Sequence, residues 1–317
     1  LTDLQELNLR NNQIKTLPPE LGKLTKLRHL DLRDNPLPLP PEILAFTDDP
    51  VTILDTWNSF IGASQPLNEV KLVLVGEGGT GKTSLVHRLL HDTFDPNSSK
   101  TEGIDIHQWY INLPPPFSEN DDEKPVRVNV WNLGGQEIMH ATHQFFLTQR
   151  TLYLLVLDNR YSEAENRLDY WLTLIRSFGG NSPILVVGNK SDQYTLDLDH
   201  RGLLADHHTV QAILETSCAT GSGISELRNA ITEAISTLPH VFDVLPNTWL
   251  QVKSQIEDLE ADFISSADYF RLCREQGIID SSKQQSLLNL LHDLGTVLHF
   301  PDPRLKDINI LNPKWVI

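Results

Sequence analysis

A glycine-rich stretch between a strand pattern and a helix pattern constrains the fold of this chain more than any other feature. Residues 70–75 are apolar apart from Lys71, positions 76–84 read Gly-Glu-Gly-Gly-Thr-Gly-Lys-Thr-Ser, and an amphipathic pattern continues to Leu90. In such a strand, loop and helix, successive backbone N–H groups turn toward a bound phosphate, and the helix adds partial positive charge. The sequence therefore predicts an α/β domain with a phosphate-binding loop.

Nine residues of this loop are the expected phosphate contacts, and two of them have individual roles. Lys82 is expected to reach the terminal phosphates, and the Thr83 hydroxyl is expected to bind Mg²⁺. Mg²⁺ is therefore the cofactor that the loop implies. The full set is Gly76, Glu77, Gly78, Gly79, Thr80, Gly81, Lys82, Thr83 and Ser84.

Two alternatives fit the same glycines. Gly76, Gly78 and Gly81 have the spacing of a dinucleotide-binding turn, with Glu102 as its acidic residue about twenty residues on. That turn needs no Lys-Thr pair, and its acidic residue ends the next strand, whereas Glu102 precedes the strand pattern at 104–111. A purely structural turn is the other alternative. The Lys-Thr pair favours the phosphate loop.

A polar tetrapeptide indicates which base is bound. The strand pattern at 184–188 ends in Asn-Lys-Ser-Asp, beyond the carboxyl edge of a parallel sheet, where nucleotides bind. A carboxylate only accepts hydrogen bonds; guanine offers it two adjacent donors, whereas adenine presents an unprotonated ring nitrogen. Asp192 is therefore expected to select guanine, with Lys190 along the ring face and Asn189 bracing the phosphate loop. A second loop is expected to complete the guanine site, mainly through the backbone N–H of its last residue, and consists of Ser217, Cys218 and Ala219.

This combination of motifs resembles the small Ras-like GTPases. The resemblance implies that Thr101 is the first-switch threonine, which senses Mg²⁺ and the γ-phosphate. It also implies that Gly135 contacts the γ-phosphate and that Gln136 orients the attacking water. The chain is therefore expected to bind GDP and GTP and to hydrolyse GTP to GDP and phosphate with bound Mg²⁺.

One position departs from the Ras-like pattern. The family has Asp where this chain has Asn132, so the charge that holds Mg²⁺ through water is missing, although an amide oxygen still accepts from a coordinated water. Slower hydrolysis or weaker nucleotide binding is expected. The alternative to a working GTPase is therefore a signalling scaffold that binds GTP and GDP but is deficient in hydrolysis.

The amino-terminal residues form an internal repeat. Leucines and an asparagine recur with a period of 23, so that Asn12 corresponds to Asn35, and this is the spacing of leucine-rich repeats. An amphipathic helix is the alternative, but prolines such as Pro18 and Pro36 exclude long helices. Residues 1–47 are therefore expected to be the C-terminal end of a longer solenoid.

The repeats and the residues after them suggest how the segments connect. A concave repeat surface typically binds a protein partner, and the exposed strand positions are expected at Asn8 and Asp31. Residues 48–66 carry breakers around Trp57, Phe60 and Ile61. They are expected to be a linker with a short helix that packs on the next domain.

Toward the C-terminus, the sequence pattern changes from alternating strands and helices to three helices followed by a strand. Residues 67–240 are expected to be the GTPase domain and residues 241–317 a mainly helical, winged-helix-like half-domain. A DNA-binding winged helix is the alternative, but no basic recognition face is evident. The fold class is therefore multidomain, with a solenoid end, an α/β P-loop domain and a helical C-terminal fragment.

The switch segment 134–147, placed between repeats and a helical C-terminal domain, resembles the Roco proteins. Their GTPase module is called Roc, and the domain after it is COR. The resemblance implies a homodimer formed largely by the COR region beyond residue 317, with Arg160 as a candidate cation acting across that dimer. Eukaryotic members can carry a kinase domain, but this sequence contains neither His-Arg-Asp nor Asp-Phe-Gly.

Composition and spacing bear on the remaining classes of partner. The net charge of −16 has the wrong sign for a nucleic-acid partner, and apolar runs are too short to span a bilayer. Two cysteines favour a reducing compartment, so a cytoplasmic protein is expected.

Metal binding by Glu137, His140 and His143 is an alternative to a helix face beside the switch. A chain that starts at Leu1 is expected to be an excerpt, so a targeting signal upstream is not excluded.

Overall fold

The computed structural model describes residues 3–37, 39, 41–60, 64–97, 101, 103–113, 124–134, 144–300 and 307–316. The chain divides into two compact units, each with its own core. The first unit comprises Leu1–Leu67, Phe242–His292 and Thr296–Asn312. The second unit comprises Asn68–Val241, Asp293–Gly295 and Pro313–Ile317.

The first unit begins with two parallel strands, β1 (Glu6–Asn8) and β2 (His29–Asp31), which pair in register. The repeat asparagine satisfies backbone carbonyls that the turn leaves exposed. Asn35 Nδ2 donates to the carbonyl of Leu9 at 2.8 Å and to that of Leu32 at 2.9 Å, so it ties one coil to the next. Asn12 makes the corresponding bond to Leu9.

The position of Asp31 corrects an expectation drawn from the repeat pattern. Asn8 is exposed as expected, but Asp31 is only 3% exposed. Arg33 lies two residues on, just beyond the end of β2. Its Nε and Nη2 donate to the two carboxylate oxygens of Asp31 at 2.9 and 2.6 Å. The expectation of an exposed Asp31 was wrong because Arg33 covers it.

Two helices follow the repeats, α1 (Pro41–Leu44) and α2 (Pro50–Phe60), and then strand β3 (Ser64–Pro66). Asp49 begins α2 by accepting hydrogen bonds from the backbone N–H and the hydroxyl of Thr52. Trp57 Nε1 donates to the carbonyl of Leu17 at 3.2 Å. The linker helix was expected to pack on the following domain, but the structure assigns it to the unit of the repeats.

The second unit is built around a six-stranded sheet in the order β5-β6-β4-β7-β8-β9. Every pair is parallel except β5 with β6, so the sheet is mixed. Central strands β4 and β7 are buried at every residue, as strands covered on both faces must be. The strands are β4 (Glu69–Val75), β5 (Ile104–Leu113), β6 (Lys124–Leu133), β7 (Thr151–Asp158), β8 (Ile184–Asn189) and β9 (Val210–Thr216).

Four described helices cover this sheet, and each buries an apolar stripe. In the last of them, Ile224, Leu227 and Ile231 recur at helical spacing and are buried. The helices are α3 (Lys82–His91), α4 (Leu168–Gly179), α5 (His200–Asp206) and α6 (Ile224–Ser236).

A lysine lies in the core of this unit, where the sequence pattern predicted only a buried strand. Lys71 on β4 is fully buried, and its Nζ donates to the carbonyl of Phe146 at 2.8 Å and to the Thr148 hydroxyl at 3.1 Å. The same ammonium lies 4.4 Å from the ring centroid of Trp131. Burial lowers the pKa of Lys71 to about 7, although the charge of Asp293 acts in the opposite direction.

The chain returns to the first unit through β10 (Val244–Pro246), which pairs antiparallel with β3. Three helices and a three-stranded antiparallel sheet follow, with strand order β11-β13-β12. Among the described helices, none combines the length and the apolar composition that a bilayer span requires. The elements are α7 (Asn247–Glu257), β11 (Phe263–Ser265), α8 (Ser266–Glu275), α9 (Ser281–Leu294), β12 (Leu298–His299) and β13 (Ile308–Ile310).

Candidate functional site

The loop between β4 and α3 has the shape that its glycines require. Gly76 follows β4 with φ of 135°, and a Cβ built there would lie 2.2 Å from the carbonyl oxygen of Val156. Gly81 precedes α3 with φ of 95°, and no described side chain caps the helix there. The first-turn N–H groups of α3 are therefore available to an anion, and the helix dipole favours one.

Lys82, the first residue of α3, folds back over this loop. It is 5% exposed, and its Nζ donates to the carbonyls of Gly76 at 2.7 Å and Glu77 at 2.8 Å. Burial lowers the pKa of Lys82 to about 8, with Glu77 acting in the opposite direction. The loop therefore holds a poorly solvated cation whose present partners are neutral carbonyls.

Glu77 contributes to the loop through its backbone, while its side chain turns to α4. Trp171 Nε1 donates to Glu77 Oε1 at 3.1 Å, and Arg167 Nη1 lies 3.8 Å from the same oxygen. The sequence grouped Glu77 with the phosphate contacts. In the structure its carboxylate fixes the loop to a neighbouring helix.

Three polar side chains from separate elements converge beside the start of α3. The hydroxyl oxygens of Thr83 and Thr101 are 2.5 Å apart, and Asn132 Nδ2 lies 3.0 Å from the first and 3.2 Å from the second. Asn132 is fully buried, and its Oδ1 has no hydrogen-bond partner among the described residues. The cluster is the one that the sequence assigned to Mg²⁺.

The donor atoms of this cluster suit a hard cation only in part. Hydroxyl oxygens are ligands that Mg²⁺ accepts, and the orphaned Asn132 Oδ1 is an acceptor for a coordinated water. Asn132 is neutral, however, and directs an N–H group at both threonines. Thr83, Thr101 and Asn132 therefore offer Mg²⁺ oxygen atoms without a formal negative charge.

The tetrapeptide after β8 is anchored to the phosphate loop. Asn189 Nδ2 donates to the carbonyl of Thr80 at 2.9 Å, and Lys190 Nζ donates to that of Gly79 at 2.7 Å. Lys190 has φ of 68°, an uncommon conformation for a residue with a Cβ. The two motifs, more than a hundred residues apart in sequence, therefore form one site.

Asp192 is exposed and held in a fixed orientation. The Ser217 hydroxyl donates to Asp192 Oδ1 at 2.5 Å and in turn accepts from the backbone N–H of Thr220 at 3.2 Å. A carboxylate that is both exposed and oriented can accept two hydrogen bonds from a planar ligand.

The loop of residues 217–219 is held in place by hydrogen bonds from α3. Arg88 Nε donates to the carbonyl of Cys218 at 2.6 Å, and its Nη2 donates to that of Ala219 at 3.2 Å. Burial raises the pKa of Cys218 to about 11, so this residue is a thiol near neutral pH. Its sulfur lies 3.5 Å from Asn189 Oδ1.

Arg160 lies close to the site but forms a pair within its own loop. Its Nε and Nη2 donate to the two carboxylate oxygens of Asp158 at 3.0 and 2.8 Å, and Lys190 Nζ lies 2.6 Å from Asp158 Oδ2. Burial alone raises the pKa of Asp158, but the hydrogen bonds from Arg160 and Lys190 outweigh it, and the pKa is lowered.

Sequence reasoning missed two residues that support this site. Asp158 ends an apolar strand and binds Lys190, and Arg88 binds the loop that contains Cys218. The only signal for Asp158 was a charge directly after a buried strand. Arg88 carried no signal, since it has the appearance of a solvated residue on an amphipathic helix.

Some expected residues lie outside the part of the chain that the structure describes. They are the γ-phosphate and water contacts, the acidic residue of the dinucleotide alternative and the metal alternative: Gly135, Gln136, Glu102, Glu137, His140 and His143. Among the described residues, no group of three or more His, Cys, Asp or Glu is arranged to hold a metal ion.

Three family profiles match the chain in succession. The profile for leucine-rich repeats, in two copies, matches residues 2–41. The profile "Ras of Complex, Roc, domain of DAPkinase" matches residues 71–192. The profile "C-terminal of Roc, COR-A domain" matches residues 246–317.

Individual proteins match over most of the chain. The structure of Methanosarcina barkeri Roco2 RocCORdC bound to GDP is 41% identical, with a TM-score of 0.73, over 80% of this chain and 76% of that one. Probable serine/threonine-protein kinase pats1 of Dictyostelium discoideum is 29% identical over 96% of this chain and 10% of its own length. A Roc-COR-CHAT protease of Runella zeae is 29% identical over 79% of this chain and 29% of its own length. The chain therefore spans less than a third of these two curated relatives.

Proposed function

Because this chain belongs to the Roco family, with leucine-rich repeats, a Roc domain and a COR-A domain, we propose that it binds GDP and GTP at the site in its second unit. The observation that carries the proposal is the pair of hydrogen bonds from Asn189 and Lys190 to the phosphate loop. They fix the spacing between a phosphate cradle and a carboxylate that reads a base.

Different residues of the site bind different parts of the nucleotide. The backbone N–H groups of residues 76–84 surround the phosphates, and Lys82 exchanges its carbonyl partners for phosphate oxygens. Asp192 accepts from the two donors on the guanine edge while Ser217 keeps it oriented. Lys190 covers one face of the base, and the N–H of Ala219 donates to the guanine carbonyl.

We propose hydrolysis of GTP to GDP and phosphate as the reaction, at an attenuated rate. Gln136 orients the attacking water, and Gly135 contacts the γ-phosphate. Thr83 and Thr101, with Asn132 through water, are the residues that would hold Mg²⁺, which when bound offsets charge on the phosphates. The attenuation follows from Asn132, which supplies no charge to that cation. Arg160 remains a candidate cation in trans across a dimer, and this role requires it to leave Asp158.

A hydrolysis-deficient scaffold is the second candidate function, and Asn132 favours it. In that case nucleotide occupancy, without turnover, is the signal. The relatives named as kinases or proteases carry these activities in proteins much longer than this chain. Such activities, and the cytoplasmic location expected from the cysteine content, remain proposals about a whole protein.

The flanking segments fit a role in transmitting the nucleotide state. The order of α7, β11, α8, α9, β12 and β13 supports a winged-helix-like interpretation of the COR segment. The repeats support a solenoid end that binds a protein partner, with Asn8 on its exposed face. We propose that dimerisation is carried by the COR region, as the family resemblance implies.

The base assignment is tested by changing Asp192. Asp192→Asn removes an acceptor and introduces a donor, so GDP affinity is expected to fall about 10- to 100-fold. Xanthosine diphosphate carries a carbonyl in place of the exocyclic amine, so the variant is expected to prefer it over GDP. Asp197→Asn, an exposed change five residues on, is the matched control. Unchanged GDP affinity in Asp192→Asn would overturn the base assignment.

Hydrolysis is tested by single-turnover measurements on the same protein. Release of phosphate from bound GTP, slow in the unchanged chain and faster in Asn132→Asp, is the result expected of an attenuated GTPase. Binding of GTP with no phosphate release in the unchanged chain would favour the scaffold instead.

A further inference from the structure

Asn132 joins three parts of the nucleotide-binding unit that are distant in sequence. It lies near the end of β6, where it pairs with Leu74 on one side and Asp105 on the other. Its side chain reaches the hydroxyl of Thr83 at the start of α3 and that of Thr101 before β5. The phosphate loop and the first switch are therefore connected twice, by the direct hydrogen bond between the two threonine hydroxyls and by one neutral amide that binds both.

A carboxylate in this position would change the electrostatics of the site. Asn132 is fully buried, so an aspartate there would place a poorly solvated negative charge beside the nucleotide phosphates. That charge repels the phosphates unless a divalent cation lies between them. The amide has the same shape and no net charge, and so it does not need the cation. A half-turn of the amide group exchanges its oxygen and nitrogen but leaves the charge at zero.

The positively charged groups of the site also favour binding of phosphate without a metal. Lys82 is almost fully buried, and among the described residues its Nζ donates to two loop carbonyls, so phosphate oxygens improve its electrostatic environment without help from a metal. The first-turn N–H groups of α3 add a fixed positive potential. The described groups that face the phosphates therefore include donors and one cation, and Asn132 adds no charge that a metal must balance.

We propose that Asn132 makes retention of GDP by this chain nearly independent of Mg²⁺. The amide holds Thr83 and Thr101 together through hydrogen bonds, so the connection between phosphate loop and first switch persists when the metal is removed. Mg²⁺ still binds alongside the phosphates, but it adds little to the affinity for GDP. Asn132 is thus a positioning residue, and the inference rests on the proposed binding of guanine nucleotides.

The test measures dissociation of a fluorescent GDP analogue from the whole chain, with excess Mg²⁺ or with excess EDTA. For the unchanged chain, chelation is expected to raise the dissociation rate by less than about threefold, which corresponds to weak coupling between metal and nucleotide. For Asn132→Asp, the same chelation is expected to raise it by more than about tenfold. Asn112→Asp makes the same chemical change on an exposed residue of β5 and should behave as the unchanged chain.

The outcomes separate this inference from the proposed function. No binding of the GDP analogue even with Mg²⁺ would reject nucleotide binding itself. Binding with Mg²⁺ that is lost on chelation from the unchanged chain would overturn the role of Asn132 and leave nucleotide binding standing. Because the unchanged chain decides this point alone, the test survives a failure of Asn132→Asp to fold.

Discussion

The side-chain amide of Asn189 donates to the backbone carbonyl of Thr80 at 2.9 Å, across 109 positions of sequence. The same amide lies so close to Gly81 that a Cβ on that glycine would come within 2.3 Å of its nitrogen. Asn189 thus fixes the phosphate loop from the end of β8, where the tetrapeptide proposed to read the base begins. Its effect on the phosphates is indirect, through the position of the loop.

Asn189→Ala is therefore expected to weaken GDP binding by about tenfold, because the phosphate loop loses a buried hydrogen bond. The preference for guanine should remain, because Asp192 keeps its hydrogen bond from Ser217. Titration with a fluorescent GDP analogue, in competition with ADP, measures both quantities. Asn112→Ala, an exposed asparagine on β5, is the control. Equal affinities for the two variants would show that the bond to Thr80 does not position the loop.

Substitutions of Asp158 and Arg160 are expected to have different effects on GDP dissociation, although the two side chains bind each other. Asp158→Asn removes the charge beside Lys190. Asp158 is buried but Lys190 is 22% exposed, so the change is expected to destabilise the fold by about 1–3 kcal/mol and to speed GDP dissociation. Arg160→Ala leaves the pair of Asp158 and Lys190 in place, so GDP dissociation should change little. Unfolding midpoints and dissociation rates measured on both variants provide the comparison.

Arg160 has a second expected effect if it acts across a dimer. In a dimer formed as proposed above, Arg160→Ala should lower the single-turnover rate without changing GTP affinity, because a cation that meets the transferring phosphoryl acts on the transition state. Turnover of the dimer that does not respond to Arg160→Ala would assign this arginine to its pair with Asp158 alone.

Lys71 makes the stability of the second unit depend on pH. The pKa of Lys71 is about 7 in the folded chain against an ordinary value of 10.5, so between these values the unfolded chain binds more protons. Stability therefore rises with pH across this window, by up to about 1.4 kcal/mol per pH unit. Below pH 7 both states hold the proton, and the cost of burying the cation is present in full.

Lys71→Met is expected to remove this dependence. Unfolding by urea, measured at pH 7 and again at pH 9.5, should show a smaller gain in stability for Lys71→Met than for the unchanged chain. Lys23→Met, an exposed lysine of the repeats, should keep the full gain. The charge of Asp293 opposes the shift, so Asp293→Asn should lower the pKa of Lys71 further. Identical pH profiles for Lys71→Met and the unchanged chain would contradict the assignment.

Trp57 is expected to hold α2 to the repeat that precedes it. Trp57→Phe loses the hydrogen bond to the Leu17 carbonyl and part of the buried ring volume, and should cost about 1–3 kcal/mol. Trp57→Ala also leaves a cavity in a buried position and should cost about 3–5 kcal/mol. Both values come from the free energy of unfolding of the first unit. A similar cost for the two variants would mean that packing of the ring contributes little.

The parts that could be predicted from sequence are those encoded by neighbouring residues. The phosphate loop is a contiguous motif, so its position between β4 and α3 followed from local spacing. The same holds for the tetrapeptide at the end of β8 and for the turn asparagines of the repeats, each of which binds a carbonyl three positions before it. In each case the residue that acts and the backbone that places it lie within a few positions of each other.

The parts that could not be predicted are buried charges whose partners no pattern in the sequence encodes. Lys71, Asp158 and Asp31 are all buried, although charged residues are rarely buried without a partner. The carbonyl of Phe146 stabilises Lys71 from 75 positions away, and no periodicity in the sequence predicts that contact. Arg33 is only two positions from Asp31, but the repeat pattern does not encode which side chain covers the other.

The pairing of β3 with β10 has a consequence for how the chain is made. Gln65 pairs with Leu245, so residues 68–241 are synthesised between two strands that belong side by side. At about 5–20 residues per second, the ribosome needs roughly 10–35 s to produce that stretch. During this time β3 has no strand to pair with. All six strands of the large sheet are synthesised before β10. The strand that is synthesised first in this pair therefore completes its sheet only after the whole nucleotide-binding unit has been made.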